Sequence, residues 1–479
     1  MQNKYAMANI NTMSPQIRKH IVELLTNKRA VGCFLVLALQ QLLEASSTYW
    51  LVSLATAITS GEPFLTYLIV YMCSLLLPYI PNCIALILKT SWKQEAQRAF
   101  INSFVASNQS NIGEWSNKGF KEEKLSILTS EGPNTLHLFI DYAWDLGTYL
   151  LSVVFNILAL SLVVEPLFAF SYGISVACVF AIMKIKRRTQ RQLTQKALIA
   201  RVDLSQSLLA AWDNVLLGNH YNFNIWYEKT ALRLKRCLQR NMDLERFDQV
   251  LAICVALITS IPSLAVVGYS MYTAEGGTAR LTSLVVILPL LFLILSYTYQ
   301  TLSLGFRWAM HRSKLITIYR TIQPATTVPH LMKRTIKWPK IVATYSGLEA
   351  NESTSLAGPQ PLSSHEDLLS RTERSGRVTL RGENGSGKST ALMLIKNALS
   401  TRAFFLPTHN QLSFTSETNK YSTGESLRNR LLEILNKVDV DVLLLDEWDA
   451  NLDAETRERL SVLIDQMSLK KCVIEVLHR

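Results

Sequence analysis

Six long apolar stretches dominate the first two thirds of the chain: Val31–Ile58, Phe64–Leu88, Leu136–Val164, Pro166–Ile185, Val250–Tyr272 and Leu281–Leu302. A run of about 18 apolar residues is enough to cross a bilayer as a helix. Each stretch meets that length, so the pattern predicts six transmembrane helices. The segments between runs two and three (89–135) and between runs four and five (186–248) are polar yet poor in Gly and Pro. Stretches such as "SWKQEAQRAFINSFVASN" and "KIKRRTQRQLTQKALIARVDLSQSLLAAW" predict helices that continue out of the membrane. At 1.5 Å per residue they are long enough to reach a partner domain tens of ångströms away.

Past the sixth run the pattern changes. Pro324, Pro329 and Pro339 mark a boundary, and residues 346–367 are polar. An alternating α/β pattern follows. It reads as a strand "GRVTLRG", a helix "KSTALMLIKNAL", a buried strand "VDVLLLDE", a helix "DAETRERLSVLIDQM" and a strand "CVIEVL". The expected division is a membrane domain over 1–325, a linker over 326–340 and an α/β domain over 341–479. The expected fold class is a six-span α-helical transmembrane bundle followed by an α/β P-loop domain.

Charge adds orientation. The net charge is +12, but residues 1–338 hold 32 Lys/Arg against 18 Asp/Glu, while residues 339–479 hold 17 against 19. The basic excess therefore lies in the membrane half. This argues against a nucleic-acid partner, which would need a basic face on the soluble domain. Residues 1–30, 89–135 and 184–248 carry 5, 6 and 13 Lys/Arg, whereas the opposite loops near 59–63, 165 and 273–280 carry only Arg280. Positive loops stay in the cytoplasm, so both termini and both long loops are expected there. The first apolar run is long enough to span and does not read as a cleaved leader. "PQIRKHIVELL" (Pro15–Leu25) reads as a helix lying on the inner membrane surface or as a solvated one. The seven cysteines form no CxxC pair and read as small buried hydrophobes, not as a zinc site or disulfide framework.

The chemistry is concentrated in the α/β half. "GENGSGKS" (Gly382, Glu383, Asn384, Gly385, Ser386, Gly387, Lys388, Ser389) fits G-x4-G-K-[ST] between a strand and a helix, with Thr390 next. Such a loop wraps phosphates with backbone N–H groups, and the following helix N-terminus faces them. Lys388 is expected on the β/γ-phosphates and Ser389 on Mg²⁺. Asp446 and Glu447 end an apolar strand. Asp446 suits the Mg²⁺ shell, and Glu447 suits activation of the attacking water.

With "NLD" (Asn451–Asp453) and with His478 after a further apolar strand, this half resembles the nucleotide-binding domain of ABC transporters. The whole chain is similar to a half-transporter of the exporter type. The resemblance implies ATP and Mg²⁺, a D-loop at Asp453, and His478 as the switch histidine near the γ-phosphate. It also implies that "YSTGE" (Tyr421–Glu425) is the signature segment. Ser422, Gly424 and Glu425 would then meet ATP across a dimer with a second copy or a related half-transporter. Thr423 and Glu425 depart from the family's LSGGQ. Thr408 stands where the Q-loop glutamine is expected, with Gln411 three residues on, and only ten residues separate Gln411 from Ser422. The family's helical subdomain is therefore almost absent. Tyr345 in "IVATYSG" is either an adenine-stacking residue or a core tyrosine. Asp446-Glu447-Trp448 resembles a branch of cyclic-peptide and siderophore exporters, with simple packing as the other reading of Trp448. The sequence stops one residue after His478, so the expected domain reaches only to that contact.

The function implied is ATP-driven export of a small amphipathic molecule, a peptide among the candidates, by alternating access in a dimer. The membrane implied is the bacterial inner membrane. The competing function is an ATP-sensing membrane regulator or resistance partner with little turnover. Within the spans, Glu44 beside Gln40 and Gln41 is the first candidate for a cavity residue, ahead of Asp141, Asp145 and the polar run Ser296–Ser303.

Overall fold

The computed structural model describes residues 15–109, 112–115, 121, 124–125, 127–163, 166–273, 278–323, 335–346, 359–408, 412–415, 423–450 and 452–477. The chain forms two compact units. One combines Met1–Phe100 with Glu131–Arg320, and the other combines Ile101–Ser130 with Thr321–Arg479.

The first unit is helical. Its elements are α1 (Pro15–Thr26), α2 (Lys28–Ser60), α3 (Leu65–Leu76), α4 (Tyr79–Asn108, which runs on into the second unit), α6 (Gly132–Val163), α7 (Leu167–Leu209), α8 (Ala211–Leu216), α9 (His220–Thr273) and α10 (Thr278–Thr321). Six of its helical segments are long and apolar enough to cross a membrane, with α3 and α4 together making the second. The chain is thus a multi-pass membrane protein, as the apolar runs predict. Gly61, at φ 70°, ends α2 by returning its N–H to the carbonyls of Ala57 and Ile58. The expected continuations are present. α7 extends well past Ile185, and α9 is one helix of 54 residues, about 80 Å long. The two pack along each other through the hydrogen bonds Ser175 Oγ to Thr259 O (3.2 Å), Gln190 Nε2 to Asp248 Oδ1 (3.2 Å) and Trp226 Nε1 to Ser207 O (2.9 Å). Pro262 and Pro289 lie inside α9 and α10, as membrane helices tolerate.

Two readings of this half change: that of α1 is narrowed, and that of the cysteines is corrected. α1 is not solvated all round, because one of its faces is packed within the helical unit. Ile17, Ile21 and Leu24 are buried, the Trp92 indole donates to Leu24 O at 2.9 Å, and His20 stacks on Tyr319. Of the cysteines, Cys33, Cys237 and Cys472 are buried, but Cys73, Cys83, Cys178 and Cys254 are exposed on the membrane helices. Lipid can cover these as readily as protein can.

The second unit is built on a six-stranded sheet. Its strands are β1 (Ile341–Ser346), β2 (Gln360–Pro361), β3 (Gly376–Gly382), β4 (Ala403–Leu406), β5 (Val442–Asp446) and β6 (Cys472–Val476). The order is β2-β1-β3-β6-β5-β4. β3, β6, β5 and β4 are parallel, and β1 and β2 add an antiparallel edge. The helices are α5 (Ile112–Trp115), α11 (His365–Ser370), α12 (Lys388–Leu399), α13 (Thr423–Lys437) and α14 (Ala454–Ser468). The buried strands β5 and β6 read as continuous apolar runs because both faces are covered. One face carries α12 over Val378, Leu380, Leu444 and Ile474. The other carries a core of Leu431, Leu443, Leu445, Leu460 and Ile464. The middle of the first long loop belongs to this unit. Ile112 packs on its core, and Trp115 meets Phe405 edge-on at 5.6 Å.

Candidate functional site

The parallel order brings the C-terminal ends of β3 and β5 to one edge of the sheet, where open α/β sheets place their ligand crevices. The glycine-rich loop leaves β3 there. Gly382, Glu383, Asn384 and Gly385 are exposed, while Ser386 and Lys388 are buried. Gly387 has φ 98°, and a Cβ there would sit 3.0 Å from Ile336 Cα, so no other residue fits without strain. The loop hands over to α12 with no side-chain cap. The first N–H groups of that helix therefore face the loop with no side-chain cap among the described residues. Ser386 Oγ is buried and has no hydrogen-bond partner among the described residues. Lys388 Nζ folds back on the loop, donating to Gly382 O (2.8 Å) and Glu383 O (3.2 Å). A cation, a helix N-terminus and an orphaned hydroxyl round one cradle fit a polyphosphate.

Ser389, on the first turn of α12, donates through Oγ to Asp446 Oδ1 at 2.8 Å. Thr390 follows it, half-buried. Burial pushes the Asp446 carboxyl up from its usual range; the Ser389 bond opposes this, and nearby Glu447 adds to it. A buried carboxylate beside a hydroxyl is a donor set suited to a hard divalent cation. Glu447 leaves β5 at φ 43°, in the left-handed region, with its N–H bonded to Val476 O at 2.9 Å. Thr408 Oγ1 donates to Asp446 O at 2.7 Å. The residue standing at the expected glutamine position is therefore tied to the acidic strand end.

A second group gathers at the starts of α13 and α14. Asp453 caps α14, accepting from Thr456 N at 2.6 Å and from Thr456 Oγ1 at 3.1 Å. A Cβ on Gly424 would lie 2.6 Å from Thr456 Cγ2. Gly424 and Asp453 thus meet through Thr456, with Glu425 exposed on the first turn of α13. Gln411, Ser422 and His478 lie outside the described residues.

The adenine-stacking reading of Tyr345 is not supported by its position. β1 runs antiparallel to β3, pairing Ile341 with Gly382 but Tyr345 with Val378. Four residues of strand, about 13 Å, separate Tyr345 from the loop. Its hydroxyl donates to Ser375 O at 2.8 Å, and its ring covers Gly376. Sequence reasoning missed the residues that do adjoin the loop. Lys337 N donates to Ser386 O at 2.9 Å, Ile336 packs on Gly387, and Lys340 pairs with Glu383 at 2.8 Å. The only signal in the sequence was their position just before β1.

In the helical unit, Asp141 takes Lys89 and Lys93, each at 2.7 Å, and is neutralised there. Asp145 is exposed. Glu44 accepts from Gln41 Nε2 at 3.1 Å.

No family model matches the sequence, and comparison with curated proteins gives no match. Solved structures do match. A bacterial Atm1-family ABC exporter with ATP bound aligns with a TM-score of 0.59 and 12% identity, over 94% of this chain and 91% of that chain. The chain therefore has the fold of an ABC exporter half-transporter, with six membrane-spanning segments and an α/β sheet domain.

Proposed function

We propose that this protein hydrolyses ATP to drive export of a small amphipathic molecule, a peptide among the candidates, as one half of a dimer. The observation that carries this reading is the Ser389–Asp446 contact at 2.8 Å beside the Lys388 loop. It joins a phosphate cradle to the acidic end of β5, and Glu447 follows at once.

In this reading residues 1–325 form the membrane domain, 326–340 the linker and 341–479 the ATP-binding cassette. The loop Gly382–Ser389 binds the phosphates through backbone N–H groups. Lys388 gives up its two carbonyl contacts for the β/γ-phosphates. Ser389 and Asp446 would hold Mg²⁺, which offsets charge on the transferred phosphoryl group. Glu447 orients and deprotonates water, and His478 stands at the γ-phosphate. Ser422, Gly424 and Glu425 complete the site of a second copy or a related half-transporter. Glu44 is the favoured cavity residue, because Asp141 is already paired.

The dimer draws support from an apolar tip between α7 and α9. Leu209, Trp212, Leu216 and Leu217 are 63–81% exposed there. With the basic loops taken as cytoplasmic, this tip lies where lipid does not cover it, and a second chain is the occupant that suits it. The membrane is the bacterial inner membrane, with both termini inside.

The test is Glu447→Gln in purified full-length protein. ATP binding is retained while turnover falls by roughly 10²–10⁴-fold, the worth of a general base. Wild-type turnover in this variant would remove Glu447 from the catalytic role, and a wild-type protein without turnover would favour an ATP-sensing regulator.

A further inference from the structure

Trp448 and Glu475 have no part in the scheme above, yet they are bonded to each other next to its central residue. Glu475 is the lone acid of β6 and is 1% exposed. Its carboxylate accepts four hydrogen bonds. Arg377 Nε and Nη2 supply two, at 2.9 and 2.8 Å. Thr379 Oγ1 supplies a third at 2.8 Å, and the Trp448 indole N–H the fourth, also at 2.8 Å. Arg377 is fixed in turn by Ser461 Oγ at 2.9 Å and Asp465 at 2.8 Å through Nη1. A core tryptophan needs an acceptor, but a backbone carbonyl would serve. A buried carboxylate carrying its own bidentate guanidinium is a costly alternative.

The cost has a counterpart one residue away. Glu447 is held at φ 43°, a conformation that non-glycine residues keep only where their surroundings over-determine it. Upstream, β5 pairs Asp446 with Val476, and Thr408 holds Asp446 O. At the residue itself, Glu447 N donates to Val476 O. Downstream, the chain is pinned by Trp448. Its ring is buried among Leu443, Leu445 and Leu460, and its N–H is aimed at Glu475. Successive residues of β6, Glu475 and Val476, thus grip Trp448 and Glu447 in turn.

We propose that Trp448, Glu475 and Arg377 form a clamp that keeps Glu447 left-handed and so aims its carboxylate. They are positioning residues, and their link to catalysis rests on the hydrolytic reading above. Trp448→Phe is the informative variant, because it keeps a buried ring and the Arg377–Glu475 pair and removes one N–H. In full-length protein in nanodiscs, kcat for ATP falls about tenfold while KM moves less than about twofold. Glu475→Gln has the same signature, and the double variant is no slower than either single one. A readout independent of turnover is amide hydrogen exchange. The Glu447 N–H exchanges on the order of tenfold faster in Trp448→Phe, while the Leu443–Leu445 amides are unchanged. Wild-type kcat with unchanged Glu447 exchange in Trp448→Phe would reduce the network to packing and overturn the clamp. A wild-type protein that turns over no ATP would instead sink the hydrolytic reading, and the exchange measurement would still decide the clamp.

Discussion

Ser389 and Asp446 are 57 residues apart in sequence and are joined by a 2.8 Å hydrogen bond from hydroxyl to carboxylate. The bond closes the sheet edge on which the proposed nucleotide chemistry rests. It also sets a conflict, because the carboxylate that it engages is largely buried.

The conflict gives a pH prediction. Burial first, and Glu447 after it, raise the folded-state pKa of Asp446 above its ordinary value, with the Ser389 bond and Lys388 opposing. A carboxyl whose pKa is raised on folding binds its proton more tightly in the folded state. Its contribution to stability therefore falls as pH rises from the unfolded pKa through the folded one. In nucleotide-free protein, Asp446→Asn removes that loss. Its Tm at neutral pH lies above that of the wild type, and the gap closes as pH falls through the carboxylate range. The same variant loses Mg²⁺-dependent turnover. A lower Tm at neutral pH would contradict this account.

Gly424 and Thr456 give a steric prediction. Gly424→Ala forces a methyl to within 2.6 Å of Thr456 Cγ2, and overpacking of this kind costs about 1–3 kcal/mol. Thr456→Ser removes Cγ2 and keeps the hydroxyl that Asp453 holds. Combined with Gly424→Ala, it restores most of the lost stability, as denaturant unfolding of the two variants would reveal. An additive double variant would mean that the contact is not limiting.

Tyr345 tests the correction made from strand register. Tyr345→Phe loses the bond to Ser375 O, worth about 1 kcal/mol, and leaves ATP affinity unchanged. Weaker nucleotide binding at unchanged stability would return Tyr345 to the adenine site.

Topology is open to fusion reporters. Reporters placed after residue 61 or 276 read as extracytoplasmic, and those after 115 or 215 as cytoplasmic. A cytoplasmic reading at 276 would break the six-span arrangement.

The membrane helices were legible because length and hydropathy suffice to define them. The continuations in α4, α7 and α9 were legible because nothing in 186–209 or 220–248 breaks a helix. "KSTALMLIKNAL" and "CVIEVL" declared themselves by period and run length. What remained hidden was set by register and by side-chain reach. Nothing local tells Tyr345 that an antiparallel β1 carries it away from Gly382. Nothing near Trp448 announces that its acceptor is Glu475, on the neighbouring strand. The apolar face of α1 was visible as a stripe, but a stripe does not say whether lipid or Trp92 covers it.

The stretch before β1 has one more consequence. Its described residues are held within the sheet unit. Asn108 Nδ2 donates to Ile322 O at 2.7 Å and Lys124 Nζ to Gln323 O at 3.3 Å, while Lys337 and Ile336 close on Ser386 and Gly387. Ile336 and Lys337, just before β1, are therefore one wall of the glycine loop. Thermodynamic reciprocity then applies. If a ligand in the loop shifts Ile336 and Lys337, anything that holds those two residues in place alters the loop's affinity in turn. The backbone that leads into β1 thus acts as a sensor of what the loop holds.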